Sequence, residues 1–481
     1  MIELSFCLFL AIFIGIGLLS ARKAKGNTED YLLAGSSVKP WLVALSAVAT
    51  NNSGYMFIGM IGFTYTSGLS SIWLMIGWIM GDFVASMFIH KKLRMATGKR
   101  KLLSFGGAIS FWHGEDLKRL RFFVGLITLI FLCVYAAAQF KAGSKALHVL
   151  FGWDYSTGAI IGSVMVFLYC MAGGIRASIW TDAAQSFVMI IAMAMLFFVG
   201  VDQVGGYSQF VTKLDALSPT YLNLFPEHLS ATPGMTGALL FVMGWVFAGF
   251  GVVGQPHIMI RFMTMDNSEN INKVRAYYYS WFSAFYLVTI GVGMLARLLL
   301  PANGKFDPEL ALPTLANNLL PEVLVGVVLA GLFSATMSTA DSQILSCSAA
   351  LTQDILPKKK STYLITKLST VIVTFIALGF ALFGSSNVFE LVLIAWSVLA
   401  ACFGPILFLY SFNIKIKESV ALAMLFAGFV VTVGWKALGW GEVIYEIAPG
   451  MIAPLIVYGV WYMIFGTQWD SDVEEASSKQ S

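Results

Sequence analysis

Thirteen apolar stretches, most of them twenty residues or longer, succeed one another along the chain at 2–21, 41–66, 70–91, 122–147, 156–176, 180–201, 237–258, 275–299, 321–350, 362–384, 388–411, 419–437 and 444–466. About twenty apolar residues in a helix cross the roughly 30 Å hydrocarbon core of a bilayer. Backbone amides in lipid must bond within their own segment, which leaves helices or closed barrels, and stretches of this length are helical. The expectation is an all-α membrane protein of about thirteen transmembrane helices. Composition agrees, with 58% hydrophobic and 12% charged residues, where soluble domains carry about 25% charged. The first stretch is too long and too lightly charged at its start for a cleaved leader, and reads as a membrane helix. The cysteines (Cys7, Cys133, Cys170, Cys347 and Cys402) lie in apolar stretches without metal spacing, so they read as small buried hydrophobes.

The formal net charge of +4 calls for no nucleic-acid partner, because its distribution explains it. One set of loops collects Arg22, Lys23, Lys25, Lys39, Lys91, Lys92, Arg94, Lys99, Arg100, Lys101, Lys118, Arg119 and Arg121. Arg261, Lys273, Arg275, Lys358, Lys359, Lys360, Lys415 and Lys417 continue it, whereas the opposite loops at 202–236, 300–320 and 438–443 hold only Lys213 and Lys305. Lys and Arg accumulate on the cytoplasmic side, so the N-terminus is expected outside and the C-terminus in the cytoplasm. The connector 92–121 reads as partly helical and surface-bound, and the polar tail 467–481 as too short for a domain.

Polar groups inside the spans are costly, about 2.5–3.5 kcal/mol for a mid-bilayer carboxylate. Asp82 and Glu390 are placed where water or a neighbouring helix could satisfy them. Asp341 lies in SATMSTADSQ (Ser334–Gln343), where helical spacing sets Ser338, Asp341 and Ser342 on one face beside Thr339. A lone hydroxyl usually bonds back to its own helix, but this density of oxygen suits a hard cation such as Na⁺. A second polar cluster, ATNNSGYMFIGM (Ala49–Met60), would let its span unwind, and GWVFAGFGVVGQPH (Gly244–His257) carries four glycines and a proline. Irregular backbone at membrane depth is tolerated only around an interior cavity. The two broken spans are second and seventh in order, the spacing of an inverted-repeat transporter with its site at the repeat interface. Tight helix packing is the alternative use of the glycines. HExxH, GxSxG and paired histidines are absent from the sequence, so no enzyme is expected, and His257 is expected to pack near the inner end of its helix.

These motifs carry a resemblance. DYLLAG (Asp30–Gly35), ALSAVATNNSGY (Ala44–Tyr55), GGIRASIWTDAAQ (Gly173–Gln185), GQPHIMIRFM (Gly254–Met263), MSTADSQILSCSAALTQDI (Met337–Ile355) and AWSVLAACFGP (Ala395–Pro405) resemble the sodium/solute symporter family, closest to its bacterial sodium/proline branch. The resemblance implies the leucine-transporter-type fold: an extra N-terminal helix and linker (1–38), inverted five-helix repeats (39–203 and 204–411) and two further helices (412–466). It implies a Na⁺ site on the carbonyls of Ala49, Asn52 and Ala335 and the hydroxyls of Ser338 and Thr339. In some members a second Na⁺ lies nearer the cytoplasm, here at Asp182, Ser338, Asp341 and Ser342. The other reading of Asp182 and Asp341 is a water-exposed pair lining the exit path.

Two departures stand out. Asn51 replaces an aspartate of the proline symporters, removing a negative charge beside the cation. Trp245 also lies ten residues before Gln255, a longer spacing than in that branch, so Tyr55, Tyr135, Trp245 and Gln255 are pocket candidates whose aromatic rings would cover an apolar substrate body. The function expected is Na⁺-driven uptake of a small solute, an amino acid such as proline, across a bacterial plasma membrane. No obligate protein partner is evident. A transporter-like nutrient sensor and a proton-coupled symporter are the alternatives.

Overall fold

A computed structural model describes residues 1–22, 25–226, 230–301, 306–356, 362–384 and 387–478. Lys23, Lys305, Lys358, Lys359 and Lys360, used above for orientation, lie outside the described residues, as do 479–481. The described chain is helical apart from one isolated bridge between Val38 and Met265. In order, the helices are α1 (Ile2–Ala21), α2 (Thr28–Leu33), α3 (Pro40–Gly54), α4 (Met60–Ser67), α5 (Ile72–Arg100), α6 (Phe105–Ser110), α7 (Lys118–Phe151), α8 (Tyr155–Val204) and α9 (Tyr207–Asp215). There follow α10 (Gly234–Phe250), α11 (Pro256–Met263), α12 (Ile271–Leu299), α13 (Ala311–Leu319), α14 (Glu322–Ala349), α15 (Tyr363–Phe383), α16 (Val388–Ser411), α17 (Glu418–Ala437) and α18 (Ile447–Ser478).

Eleven described helical stretches are long and apolar enough to cross a membrane, against thirteen read from the sequence. The difference has two sources. Residues 40–100 form one continuous apolar helical stretch of 61 residues, about three times what one crossing needs, and it is interrupted at Ser53 and Gly68. Within α8 the backbone breaks at Gly174 (φ 58°, ψ −145°), leaving Tyr155–Leu168 as a short apolar helix beside the longer Gly173–Val204. The break needs glycine, since a Cβ there would lie 2.6 Å from Tyr31 Cδ2 at a positive φ.

The helices sort into inner and outer sets by burial. In α14, 83% of the apolar span is buried inside the protein, against 22% in α1 and 28% in α18. Helix α14 is the axis, packed on α8, α7, α3 and α1. The outer helices present Leu4, Leu8, Phe198, Phe375 and Phe383 outward, as a lipid-facing surface requires. Helices α5 and α10 approach to backbone contact. A Cβ on Gly77 would sit 2.8 Å from that of Trp245, one on Gly81 would strike the Val246 carbonyl, and one on Gly249 would strike that of Trp78.

Candidate functional site

The polar stretch in the second span does break its helix. Ser53, fully buried, takes φ 40° and ψ 178°, a conformation rare for a residue with a Cβ. The freed amides find partners. Gly54 N donates to Gln139 Oε1 of α7 at 2.8 Å, and Tyr55 N donates to Ser53 Oγ at 3.1 Å. Gly54 is wedged so closely that a Cβ would lie 2.8 Å from both Ala142 Cβ and Thr336 Cγ2. A wide π-helical turn over Tyr55–Gly59 then leads into α4.

Facing this break, α14 presents its hydroxyls. Ser338 Oγ donates to Ala335 O at 3.1 Å and reaches Ala49 O at 3.4 Å, while Thr339 Oγ1 donates to Thr50 O at 2.9 Å. All five residues are fully buried. The structure thus brings Ala49, Ala335, Ser338 and Thr339 together across two helices. Asn52 stands apart: its carbonyl is met by Tyr55 N, and its Nδ2 donates to Val48 O at 2.7 Å, leaving Oδ1 without a partner. Uncharged hydroxyl and carbonyl oxygens fit a monovalent hard ion, since divalent sites draw on carboxylates.

Asn51 turns the other way. Its Nδ2 donates to Tyr278 Oη at 2.6 Å, and Tyr278 donates in turn to Asp82 Oδ2 at 2.9 Å. Tyr279 completes the satisfaction of Asp82 from 3.1 Å. Glu390 is exposed in the first turn of α16.

One turn along α14 the structure gathers Asp341 and Ser342 with Asp182 of α8, and it adds a residue the sequence reading put elsewhere. Arg261 of α11, counted above with the loop charges, is fully buried. Its guanidinium lies 3.1 Å from Asp182 Oδ2 and 3.8 Å from Asp341 Oδ1. An arginine just past an apolar span reads as a loop charge, and only the fold of α11 against α14 turns it inward. His257 also differs from expectation. It occupies the first turn of α11 beside the break, with its ring edge-on to Tyr135 at 5.3 Å and neither nitrogen hydrogen-bonded.

Above the breaks sits an aromatic cluster. Tyr55 stacks on Phe389 (5.3 Å), Trp78 lies against Tyr55 (5.8 Å), Trp245 (6.2 Å) and Trp396 (4.7 Å), and Trp245 meets Tyr445 (5.1 Å). In the second break Gln255 is extended (φ −94°, ψ 103°). Its Nε2 donates to Trp396 O at 3.0 Å, and Oε1 is left without a partner. Tyr135 joins from the far side, donating to Ser53 Oγ at 3.5 Å. The four pocket candidates therefore surround the two breaks. Trp78, Gln139, His257 and Trp396 pack around the same two breaks and are not singled out as pocket residues by the sequence reading; Gln139, an amide in an apolar run, is the readable signal.

An ion-pair cluster joins α7 to the Asp307–Glu309 turn. Lys145 Nζ pairs with Glu309 Oε2 (2.7 Å) and Asp307 Oδ2 (2.9 Å). Glu309 also accepts from the amides of Phe389 (2.8 Å) and Val388 (3.2 Å), where a carboxylate complements the helix dipole. Open cavities of about 320 and 330 Å³ flank Lys145.

Comparison with known proteins decides the family: the model of the sodium:solute symporter family matches residues 31–428. The chain belongs to that family. It is 31% identical over 476 residues to the sodium/proline symporter of Staphylococcus aureus (strain USA300 / TCH1516), covering 93% of this chain and 90% of that one. It is 29% identical over 446 residues to the high-affinity proline transporter PutP of Bacillus subtilis (strain 168), covering 91% and 92%. Among solved structures, a substrate-bound outward-open Na⁺-coupled sialic acid symporter aligns with a TM-score of 0.78 at 18% identity, covering 96% of this chain and 98% of that one. Mhp1, a nucleobase-cation-symport-1 family transporter, aligns at 0.61 with 15% identity, covering 91% and 95%. The fold is the leucine-transporter type, and this sodium:solute symporter is a Na⁺-coupled membrane transporter rather than an enzyme.

Proposed function

We propose that this symporter couples Na⁺ entry to uptake of a small amino acid, proline first among them, through sites at its two helix breaks. In this reading Ala49, Asn52, Ala335, Ser338 and Thr339 hold the ion, and Tyr55, Tyr135, Trp245 and Gln255 line the substrate site. The inverted repeats fall at 39–203 and 204–411. The N-terminus lies outside and the C-terminus in the cytoplasm, as the lysine and arginine distribution supports.

The observation that carries the ion site is the meeting of Ser338 Oγ with Ala49 O and of Thr339 Oγ1 with Thr50 O. Both hydroxyls can rotate their lone pairs toward an ion entering between α3 and α14. The ion would then bridge a broken helix to the axis of the bundle and favour one arrangement of the two. An inside-negative potential adds about 2.3 kcal/mol per charge per 100 mV to the drive.

For the substrate, the chemistry of the lining supports a zwitterion with an apolar body. Gln139 Nε2 is an unused donor and Gln255 Oε1 an unused acceptor, set among aromatic rings. The printed names of the proline-transporting relatives point the same way. The test is uptake of labelled L-proline and a panel of other amino acids by proteoliposomes, with and without a Na⁺ gradient. Uptake that ignores the gradient would sink the coupling, and uptake of another solute alone would sink proline.

A further inference from the structure

Asp82 is a buried carboxylate to which neither proposed site gives a task. It lies in α5, and what it meets among the described residues is two phenols, Tyr278 Oη at 2.9 Å and Tyr279 Oη at 3.1 Å, rather than a Lys or Arg. Arg275, on the same helix as both tyrosines, donates to Ser86 Oγ and O instead. A buried charge without a cationic partner is costly, and an apolar side chain would fill the place at less cost. The line of contacts ends at the α3 break: Asn51 Nδ2 donates to Tyr278 Oη at 2.6 Å, and Tyr278 donates to Asp82 Oδ2. We propose that Asp82 is a charged positioning residue for the Na⁺ site, acting through Tyr278 and Asn51 on the end of α3.

Every hydrogen in this chain points toward Asp82. An ionised carboxylate only accepts, and hydrogen bonds in series polarise one another, so the Asn51 amide is drawn toward α12 and held there. Asn51 stands between Thr50, whose carbonyl takes the Thr339 hydroxyl, and Asn52, whose carbonyl belongs to the proposed ion set. Two residues on, Ser53 leaves the helix at φ 40°. The last turn of α3 therefore keeps its carbonyls in place with help from outside. Gln139 meets the amide beyond the break, and the Asp82–Tyr278 pair anchors the side before it.

The anchor is rigid, and it carries charge. A Cβ on Gly249 of α10 would lie 2.8 Å from Asp82 N, so the backbone that bears the carboxylate is fixed by its neighbour. Tyr278 is enclosed by Phe262, Tyr279 and Phe282, with ring centroids at 6.4, 4.8 and 5.7 Å. The proposed ion ligands are all uncharged, and Asp182 and Asp341 share Arg261. Asp82 has no such partner, so its charge favours a cation at the end of α3. At an effective dielectric of about 20, a carboxylate roughly 10 Å from an ion changes its binding about tenfold.

This inference rests on the Na⁺ site proposed above, and the experiment separates the two. Saturable ²²Na⁺ binding is measured on the purified full-length protein in detergent, without any solute. Asp82→Asn keeps the shape and an acceptor but removes the charge, and half-saturation is expected to rise about tenfold. Tyr278→Phe breaks the chain by one oxygen and should act in the same direction. Because the residues act in series, the double variant should lose no more affinity than the weaker-binding single one. Asn51→Asp added to Asp82→Asn moves the carboxylate to the other end of the chain, with Tyr278 donating the opposite way, and should restore most of the affinity. Unshifted binding in folded Asp82→Asn would overturn the inference and leave Na⁺ coupling intact. An additive double variant, or no recovery in the exchanged pair, would make Asp82 a packing residue and also overturn it. No Na⁺ binding by the unaltered protein would overturn both. If Asp82→Asn does not fold, judged by its elution profile, Tyr278→Phe decides, and an unshifted affinity there sinks the inference.

Discussion

Gln139 Oε1 accepts a hydrogen bond from the backbone amide of Gly54 at 2.8 Å, joining the middle of α7 to the point where α3 breaks. The two residues are 85 apart in sequence, and a side chain does for the broken helix what a preceding carbonyl would do in a continuous one. Leaving a buried amide unmet costs about 1–3 kcal/mol. Gln139→Ala is therefore expected to lower thermal stability in detergent by about that amount and to abolish transport. Gln139→Glu keeps the acceptor and should retain most of the stability. An equal loss in both variants would mean that α7 supports the break by packing alone.

For the ion site the expected effect is on affinity rather than on folding. Replacing both Ser338 and Thr339 by Ala removes two oxygens that a dehydrated ion cannot replace from neighbouring methyls. Hydrogen bonds and contacts to charged groups are worth about 1.5–3 kcal/mol, so half-saturation by Na⁺ should rise roughly ten- to a hundredfold. Asn52→Ala should be milder, because a carbonyl survives it. Na⁺ dependence of uptake is the measurement, and an unshifted double variant would move the site elsewhere.

The aromatic residues should respond in the opposite sense. Trp245→Ala and Tyr135→Ala are expected to raise half-saturation for the amino acid several-fold, with a smaller change for Na⁺. Unchanged solute affinity in both would make these rings packing residues, and Trp78 and Trp396 the next to replace.

Orientation can be read by accessibility. Among the described cysteines only Cys7 is exposed, so a Cys7→Ser background gives a quiet baseline. In it, Lys101→Cys should react with an impermeant maleimide only after the membrane is opened, and Lys213→Cys should react in intact cells. Both side chains are exposed. The reverse pattern would invert the topology.

Much of this molecule was legible because lipid makes polarity expensive. Asn51, Asn52, Ser53 and Gly54 could not sit in a span without breaking it, and Ser338, Thr339 and Asp341 could not sit in one without company. What could not be read was which distant group supplies that company. Gln139 meets Gly54, and Tyr278 meets both Asn51 and Asp82, through tertiary geometry that no local pattern encodes. Arg261 was misplaced for a related reason: charge at a helix end looks the same whether the end faces water or two buried carboxylates. The thirteen spans read from the sequence exceed the eleven described stretches because helices run on through bends at Ser53, Gly68 and Gly174, which change direction without a polar loop.

The glycine contact between α5 and α10 constrains how such a protein can move. At Gly81 and Gly249 the two backbones touch without an intervening side chain, so neither helix can slide or roll against the other without a collision of main-chain atoms. They must travel as one lever. Asp82, held by Tyr278 and Tyr279 of α12, rides on that lever, and so does Trp245, which carries one wall of the aromatic cluster. The nearest irregular backbone at its ends is the Gly251–Gln255 break and the Gly68 bend. Even a single methyl at position 81 would prise the lever apart before it touched either binding site.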